Sequence, residues 1–306
     1  MITIYQKTVS EAEIKKIETL KNGSLLIVED PKEEEISFLE KELSLEDKNL
    51  SDALDPYEVP RIESEDNIVY LFVRVPKQEK ENIRTMPALI AIGGKYIAVI
   101  SKEKISAFDK LMNGKIPFAT TQKTRLTITL LSEITRNYRK LLTNITKQVR
   151  SVSTKIENID NKAILAFVAQ EEILNDFLAA LIPMNVSLER LLNGRMITLY
   201  DEDKELTEDL VLDINQLIAL SKATLKTIVN IREAYSTIIT NNLNRVIKLL
   251  TSLTVILAVP TMIASFYGMN VNLPFADKPY AFAGILAVVT GVTALLLIVF
   301  GKKKWL

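Results

Sequence analysis

Two uncharged apolar segments near the C-terminus constrain this chain more than any other feature. Residues 249–267 carry no charged side chain and are dominated by Leu, Val, Ile, Ala and Thr, and residues 280–300 are equally uncharged. Their lengths of 19 and 21 residues match the roughly 20 needed to cross a bilayer core. One such segment also suits a buried core helix. Two in tandem, joined by nine residues at 271–279, read as a membrane hairpin. Arg245 and Lys248 precede the first span, and Lys302, Lys303 and Lys304 follow the second, whereas the connection holds one Asp277 and one Lys278. The positive-inside rule therefore places the N- and C-termini in the cytoplasm and the short loop outside, with Trp305 at headgroup level. The first residues lack the basic and apolar regions of a signal peptide, so residues 1–245 are expected to stay in the cytoplasm beneath the cell membrane.

The 38 basic and 38 acidic residues balance overall but not locally. From Val246 onward there are five lysines and one acid, which leaves 33 bases against 37 acids before it. A mildly acidic soluble part argues against nucleic acid as a partner, because phosphate binding needs a basic face. No other protein partner is evident. The chain has neither cysteine nor histidine, which removes disulfides, thiolate metal sites and Cys or His catalysis. Any metal must be held by oxygen, a donor set that selects hard ions such as magnesium or calcium.

Residues 1–120 alternate strand-like and helix-like patterns and are expected to form a cytoplasmic α/β domain. Apolar runs at 24–29, 67–75 and 86–92, and another at 96–101 beyond Gly93, Gly94 and Lys95, read as strands, the last two as a hairpin; the run at 67–75 is expected to end at Pro76. Segments 31–43 and 101–111 read as helical. There is no P-loop, Gly-rich nucleotide turn or nucleophile elbow, so no enzymatic activity and no organic cofactor are expected. From Thr121 the texture changes to long stretches poor in Gly and Pro. Residues 121–205 read as a helical hairpin, and 206–267 as one stalk helix that becomes the first span at about 246. Residues 268–279 form the external loop, 280–300 the second span and 301–306 a basic tail. The fold class is thus an α+β domain followed by long helices and two membrane spans.

The stalk carries a 3.5-residue spacing at Leu210, Ile214, Leu217, Ser221, Thr224, Ile228, Ile231, Tyr235, Ile238 and Asn242. Such a seam packs against other helices, either within one subunit or between subunits. On the first span a second stripe runs through Asn244, Thr251, Ala258 and Ser265 at intervals of seven, with Ile247, Thr254, Thr261 and Gly268 on the same face. A narrow row of small and hydroxylated residues fits tight helix packing, and it equally fits the lining of a water-filled pore. No carboxylate lies on it. In the pore reading Ile247 and Leu250, near the cytoplasmic mouth, supply an apolar constriction that gates by dewetting. Two helices cannot enclose an aqueous path, so conduction would require several copies, and a ring is the closed solution.

The tetrapeptide Tyr267, Gly268, Met269, Asn270, directly after the first of two C-terminal spans, resembles the signature of the CorA magnesium transporters. So do its surroundings, VPTMIASFYGMNV at 259–271, the stretch EAYSTIITNNLNRVIK at 233–248, the segment DPYEVPRIE at 55–63 and the KKKWL ending. The resemblance implies a homopentamer with a funnel-shaped cytoplasmic domain, a pore lined by the first span, and Mg2+ as both transported and regulatory ion, with cobalt or nickel as further cargo. It implies a selectivity filter at Gly268, Met269 and Asn270, polar rings at Asn244 and Thr261, and cytoplasmic magnesium sensing at Asp209. Magnesium surrenders its water reluctantly, and neutral Asn270 carboxamides, with the Gly268 carbonyl nearby, accept hydrogen bonds from a hydrated ion without stripping it. Met269 suits packing better than ligation, since a thioether is a poor partner for a hard ion. Facing carboxylates at the Asp209 level would repel until a cation bridges them, so internal magnesium would hold the ring closed. The outer loop lacks the acidic charge that would concentrate cations. Transport of another divalent metal such as zinc is the alternative, disfavoured by the intact Gly-Met-Asn run; a non-conducting membrane-tethered sensor is a third reading.

Overall fold

Runs rich in β-branched and aromatic residues become strands where their two faces can both be covered. The computed structural model describes residues 1–80, 82–153, 161–193, 196–271 and 278–305, in two compact units, Met1–Asn230 and Ile231–Leu306. In the first unit β1 (Ile2–Gln6), β2 (Lys15–Ile17), β3 (Ser24–Glu29), β4 (Arg61–Glu65), β5 (Ile68–Glu79), β6 (Asn82–Ile92) and β7 (Tyr96–Ser101) form one sheet in the order β2-β1-β3-β7-β6-β5-β4. Only β3 and β7 pair in parallel, and the long crossover between them contains helices α1 (Glu33–Leu43) and α2 (Asp47–Leu54) with the β4–β6 meander.

Strand alternation sends Tyr70, Phe72, Leu89, Ala91, Ala98 and Ile100 into one core with Leu39, Leu43, Leu50 and Ala53 of α1 and α2. Their neighbours Val69, Leu71, Val73, Ile90, Ile97 and Val99 are also buried, on the opposite face, where α4 (Lys123–Ser153) and α5 (Asn161–Leu192) pack. Burial on both sides explains why these strands read as continuous apolar runs. The β6–β7 turn requires its glycine: a β-carbon on Gly93 would lie 2.5 Å from the Tyr96 ring.

Strand β5 runs on through Pro76 instead of ending there. Its pairing with β4 stops at Arg61↔Phe72, while its pairing with β6 continues to Glu79↔Asn82. Beyond Phe72 β5 is therefore itself an edge, and Pro76 withholds no donor from a neighbouring strand. Helix α4 satisfies that edge. Tyr138 Oη donates to the Arg74 carbonyl at 2.9 Å, and Asn137 Nδ2 to the Pro76 carbonyl at 3.0 Å. Tyr138 is fully buried, edge-on to Phe177 of α5 with ring centroids 4.9 Å apart, and burial pushes its phenol well above the ordinary range. Tyr138→Phe should cost about 1 kcal/mol, the net value of one hydrogen bond. Tyr138→Ala should cost about 3–5 kcal/mol through the cavity it leaves. Denaturant unfolding of the detergent-solubilised protein measures both.

The structure differs from the sequence reading in three further places. Residues 101–111 are not one helix: β7 ends at Ser101, and a 3-10 turn at Ser106–Phe108 leads into α3, a single turn at Asp109–Met112. No element is legible in the sequence between 43 and 67, where the structure has α2 and β4, and β1 and β2 precede the first strand legible in the sequence. The long helix α6 begins at Asp201, not Leu206, and extends to Tyr267. Asp201, Glu202 and Asp203 fill its first turn, where carboxylates complement the positive end of a helix.

The α6 seam is buried from Asp203 through Thr207, Leu210, Ile214, Leu217, Ser221 and Thr224 to Ile228. Its cover in the first unit is α4, with Thr146 and Thr224 hydroxyls 3.1 Å apart and Arg139 paired with Asp213 at 2.7 Å. Over this stretch the seam is an intrachain bundle contact. Ile231 is buried too, but Tyr235 and Ile238 are half-buried and Asn242 is exposed. In the second unit α6 runs beside α7 (Ala281–Lys302), which has no buried side chain. Large apolar residues such as Leu249, Leu253, Leu257, Phe282, Leu286 and Leu295 stand at least 49% exposed, a surface that suits hydrocarbon and not water. Residues 272–277 of the expected external loop, and Leu306 of the tail, lie outside the described residues.

Candidate functional site

Helix α6 presents two chemically different faces beyond Ile231. Ser252, Ile256, Val259 and Ile263, at spacings of four, three and four, are buried or half-buried. They form the face toward α7: the Ser252 hydroxyl lies 3.5 Å from the Trp305 carbonyl beyond the end of α7, and Ile263 and Tyr267 meet Tyr280, Ala281, Gly284, Ile285 and Val288 around an apolar cavity of 280 Å³. Asn244, Ile247, Leu250, Thr251, Thr254, Ala258, Thr261 and Ser265 are all exposed. Their mean direction lies about 150° around the helix from the α7 face, at 3.6 residues per turn. Within one chain, nothing among the described residues covers them.

Two of the hydroxyls on this open face are oriented by the helix itself. Thr254 Oγ1 donates to the Leu250 carbonyl and Thr261 Oγ1 to the Leu257 carbonyl, both at 2.8 Å. With the protons committed inward, the oxygen lone pairs are left as outward acceptors. The face carries no formal charge, and Ile247 and Leu250, 51% and 64% exposed, are its large aliphatic members.

The helix ends in a tightened turn. Gly268 N–H lies 3.1 Å from both the Ala264 and Ser265 carbonyls, and Met269 N–H donates to the Phe266 carbonyl at 3.3 Å, the i→i+3 closure usual at a helix terminus. A β-carbon on Gly268 would make only ordinary contacts, at 3.5 Å to the Ser265 carbonyl. Among the described residues nothing therefore demands glycine at this position. Met269 and Asn270 are exposed, and the Asn270 carboxamide has no partner among the described residues.

Asp209 lies in the first unit on the exposed side of α6, next to buried Leu210, with no ion pair among the described residues. One turn on, Asp213 is occupied by Arg139. No three acidic side chains converge as a metal site among the described residues. Sequence reasoning left Ser252 unmarked. The signal that identifies it is its position on the face opposite the small-residue stripe.

The family described as CorA-like Mg2+ transporter protein matches residues 24–304. The cobalt/magnesium transport protein CorA of Methanocaldococcus jannaschii is 27% identical over 288 residues, which cover 90% of this chain and 89% of that protein. The magnesium transport protein CorA of Campylobacter jejuni is 35% identical over 108 residues, 34% of this chain and 33% of that protein. Among solved structures, the complete CorA magnesium transporter of M. jannaschii superposes with a TM-score of 0.88 at 25% identity, covering 100% of this chain and 99% of that one. The full-length CmaX protein shares the fold, with a TM-score of 0.77 at 16% identity over 99% of this chain and 97% of its own.

Proposed function

The chain belongs to the CorA family of Mg2+ transporters, and from that premise we propose that it forms a gated pathway for hydrated Mg2+ through a homo-oligomeric ring, a pentamer by family resemblance. The observation that carries this reading is the open face of α6. Acceptor oxygens, small side chains and no formal charge point away from α7, which fits a lining wetted from end to end. A partially hydrated or fully hydrated Mg2+ needs acceptors for its water hydrogens, since the metal holds those waters at octahedral positions and releases them slowly.

The proposed roles follow from this chemistry. Asn270, whose carboxamide has no partner among the described residues, and the Gly268 carbonyl hold the hydrated ion at the outer mouth, with Met269 packing beside them. Thr261, Thr254, Thr251 and Asn244 pass it inward by exchanging water-mediated hydrogen bonds, with Ser265 and Ala258 keeping the bore wide. Ile247 and Leu250 close the cytoplasmic end when dry. Asp209 belongs to the same helix as these residues, and bridging of facing Asp209 carboxylates by internal Mg2+ favours the closed state by differential binding. The proposed division of the chain is an α/β domain at 1–120, a helical hairpin at 121–200, the stalk and first span at 201–267, an external loop at 268–279, the second span at 280–300 and a basic tail at 301–306. Cobalt is a second proposed cargo, since the M. jannaschii relative is a cobalt/magnesium transport protein.

Purified protein in liposomes containing a magnesium-sensitive dye tests the reading. An inside-negative potential, which favours a divalent ion by about 4.6 kcal/mol per 100 mV, should drive Mg2+ in, and Mg2+ on the cytoplasmic side should suppress that uptake. Absence of uptake by the parent protein would count against conduction. Uptake that ignores cytoplasmic Mg2+ in the parent, or that is still suppressed in Asp209→Asn, would count against the role of Asp209.

A further inference from the structure

Helix α7 does not fray at its cytoplasmic end. Lys304 adopts φ +54°, Lys304 N–H donates to the Gly301 carbonyl, and Trp305 N–H reaches back to the Phe300 carbonyl at 3.0 Å. This is the 6→1 closure of a Schellman-type cap. It folds the Trp305 ring onto Phe300, with centroids 5.6 Å apart and planes 16° from parallel, and brings the Trp305 carbonyl to 3.5 Å from Ser252 Oγ of α6. The backbone that carries Lys302, Lys303 and Lys304 is thereby fixed by the cap, with the Trp305 carbonyl beside Ser252 of α6.

The face of α6 that receives this tail is itself basic. Arg245, Lys248 and Ser252 follow at spacings of three and four, so the two cations lie on the α7 side of the helix, about 10 and 6 Å below Ser252. All five cations are exposed and without an ion pair among the described residues. No Asp or Glu occurs between Ala234 and Ala276 to neutralise them. Around the helix, Arg245 lies about 125° and Lys248 about 65° from the mean direction of Asn244, Ile247 and Thr251, so both cations stand beside the proposed ion path and not on it. It lies where the apolar surface of both helices ends, beside an amphipathic aromatic.

We propose that Arg245, Lys248, Lys302, Lys303 and Lys304, organised by the Trp305 cap, form a binding site for the phosphate headgroup of an anionic phospholipid of the cytoplasmic leaflet. Clustered cations immediately inside a span attract such lipids, and a fixed backbone lowers the ordering cost of gathering five long side chains around one headgroup. The inference rests on the two-span membrane placement and not on conduction, so ion flux can fail while lipid binding stands.

Trp305 is the only tryptophan in the chain and reports on its own site. The full-length protein is reconstituted in phosphatidylcholine vesicles containing an equal share of phosphatidylglycerol, with bromine on the acyl chains of one lipid or the other. Brominated phosphatidylglycerol should quench Trp305 with an apparent preference of about threefold or more over brominated phosphatidylcholine, collapsing toward parity in about 0.5 M salt. The tail variant K302Q/K303Q/K304Q and the helix variant R245Q/K248Q should each reduce the preference, the second with the cap intact. Equal quenching by both lipids in the parent protein overturns the proposal. So does a preference that survives in both variants, or one abolished by millimolar inorganic phosphate at constant ionic strength, which would mark a free-anion site.

Discussion

Asn270→Ala should lower Mg2+ uptake into liposomes by about tenfold or more while leaving the oligomer intact on size-exclusion chromatography. The expected size follows from what the carboxamide does. One hydrogen bond from a metal-bound water to a neutral acceptor is worth about 1 kcal/mol net, and every copy in the ring loses one, so the losses multiply across copies. The side chain is exposed at the end of α6 and has no partner among the described residues, so its removal leaves no buried group unsatisfied and should not unfold the chain. Asn270→Asp separates recognition from charge. A carboxylate ring should hold the ion more tightly and release it more slowly, giving half-saturation at lower Mg2+ and a lower maximal rate. Unaltered flux in Asn270→Ala would remove this residue from the filter.

The fold was legible where local chemistry and tertiary demand agree. The runs that became β3, β6 and β7 are buried on both faces and needed no periodicity to be recognised. Gly93 marked the hairpin because the Tyr96 ring occupies the space of its missing β-carbon. What the sequence concealed has physical causes. Strand β2, KKI, and strand β4, RIESE, are edge strands with one buried residue between them, so neither carries a pattern. Helix α2 is eight residues long and buries only Asn49, Leu50 and Ala53. Pro76 looked like a terminator because sequence cannot show that the partner strand β4 has already ended at that level. Residues 101–111 hold helix-compatible side chains, but the chain turns twice to seat Ile105, Phe108 and Leu111, all buried.

The candidate site was legible for a different reason. Residues proposed to line an aqueous path should depart from the apolar composition of the span around them, and Thr251, Thr254, Ala258, Thr261 and Ser265 do so at helical spacing. The stalk seam shows the limit of the same argument. Its 3.5-residue period runs without a break from Leu210 to Asn242, yet α4 covers it only over the first unit, and the period alone does not reveal where an intrachain partner stops. The role proposed for Asp209 is obscured for a related reason: a carboxylate proposed to act across a subunit boundary looks, in one chain, like any solvated acid.

Ala258→Phe should reduce flux by about tenfold or more, whereas Leu253→Phe should leave it within about twofold, because only the first adds bulk to the proposed water-lined bore. The two positions are five residues apart, about 7.5 Å along the axis and about 140° around it, so they share depth in the membrane but not direction. Ala258 lies on the open stripe and Leu253, 49% exposed, beside the α7 face. The rival account, a dry seam of small residues joining helices, makes a different forecast: Ala258→Phe would then disperse the oligomer, visible as a smaller particle, before any effect on conduction could be read. Thr254→Val decides between them without changing side-chain shape. In a wet lining it deletes an outward acceptor from every copy and should slow Mg2+ several-fold. In a dry seam its hydroxyl proton already serves the Leu250 carbonyl at 2.8 Å, so its loss should leave transport unchanged.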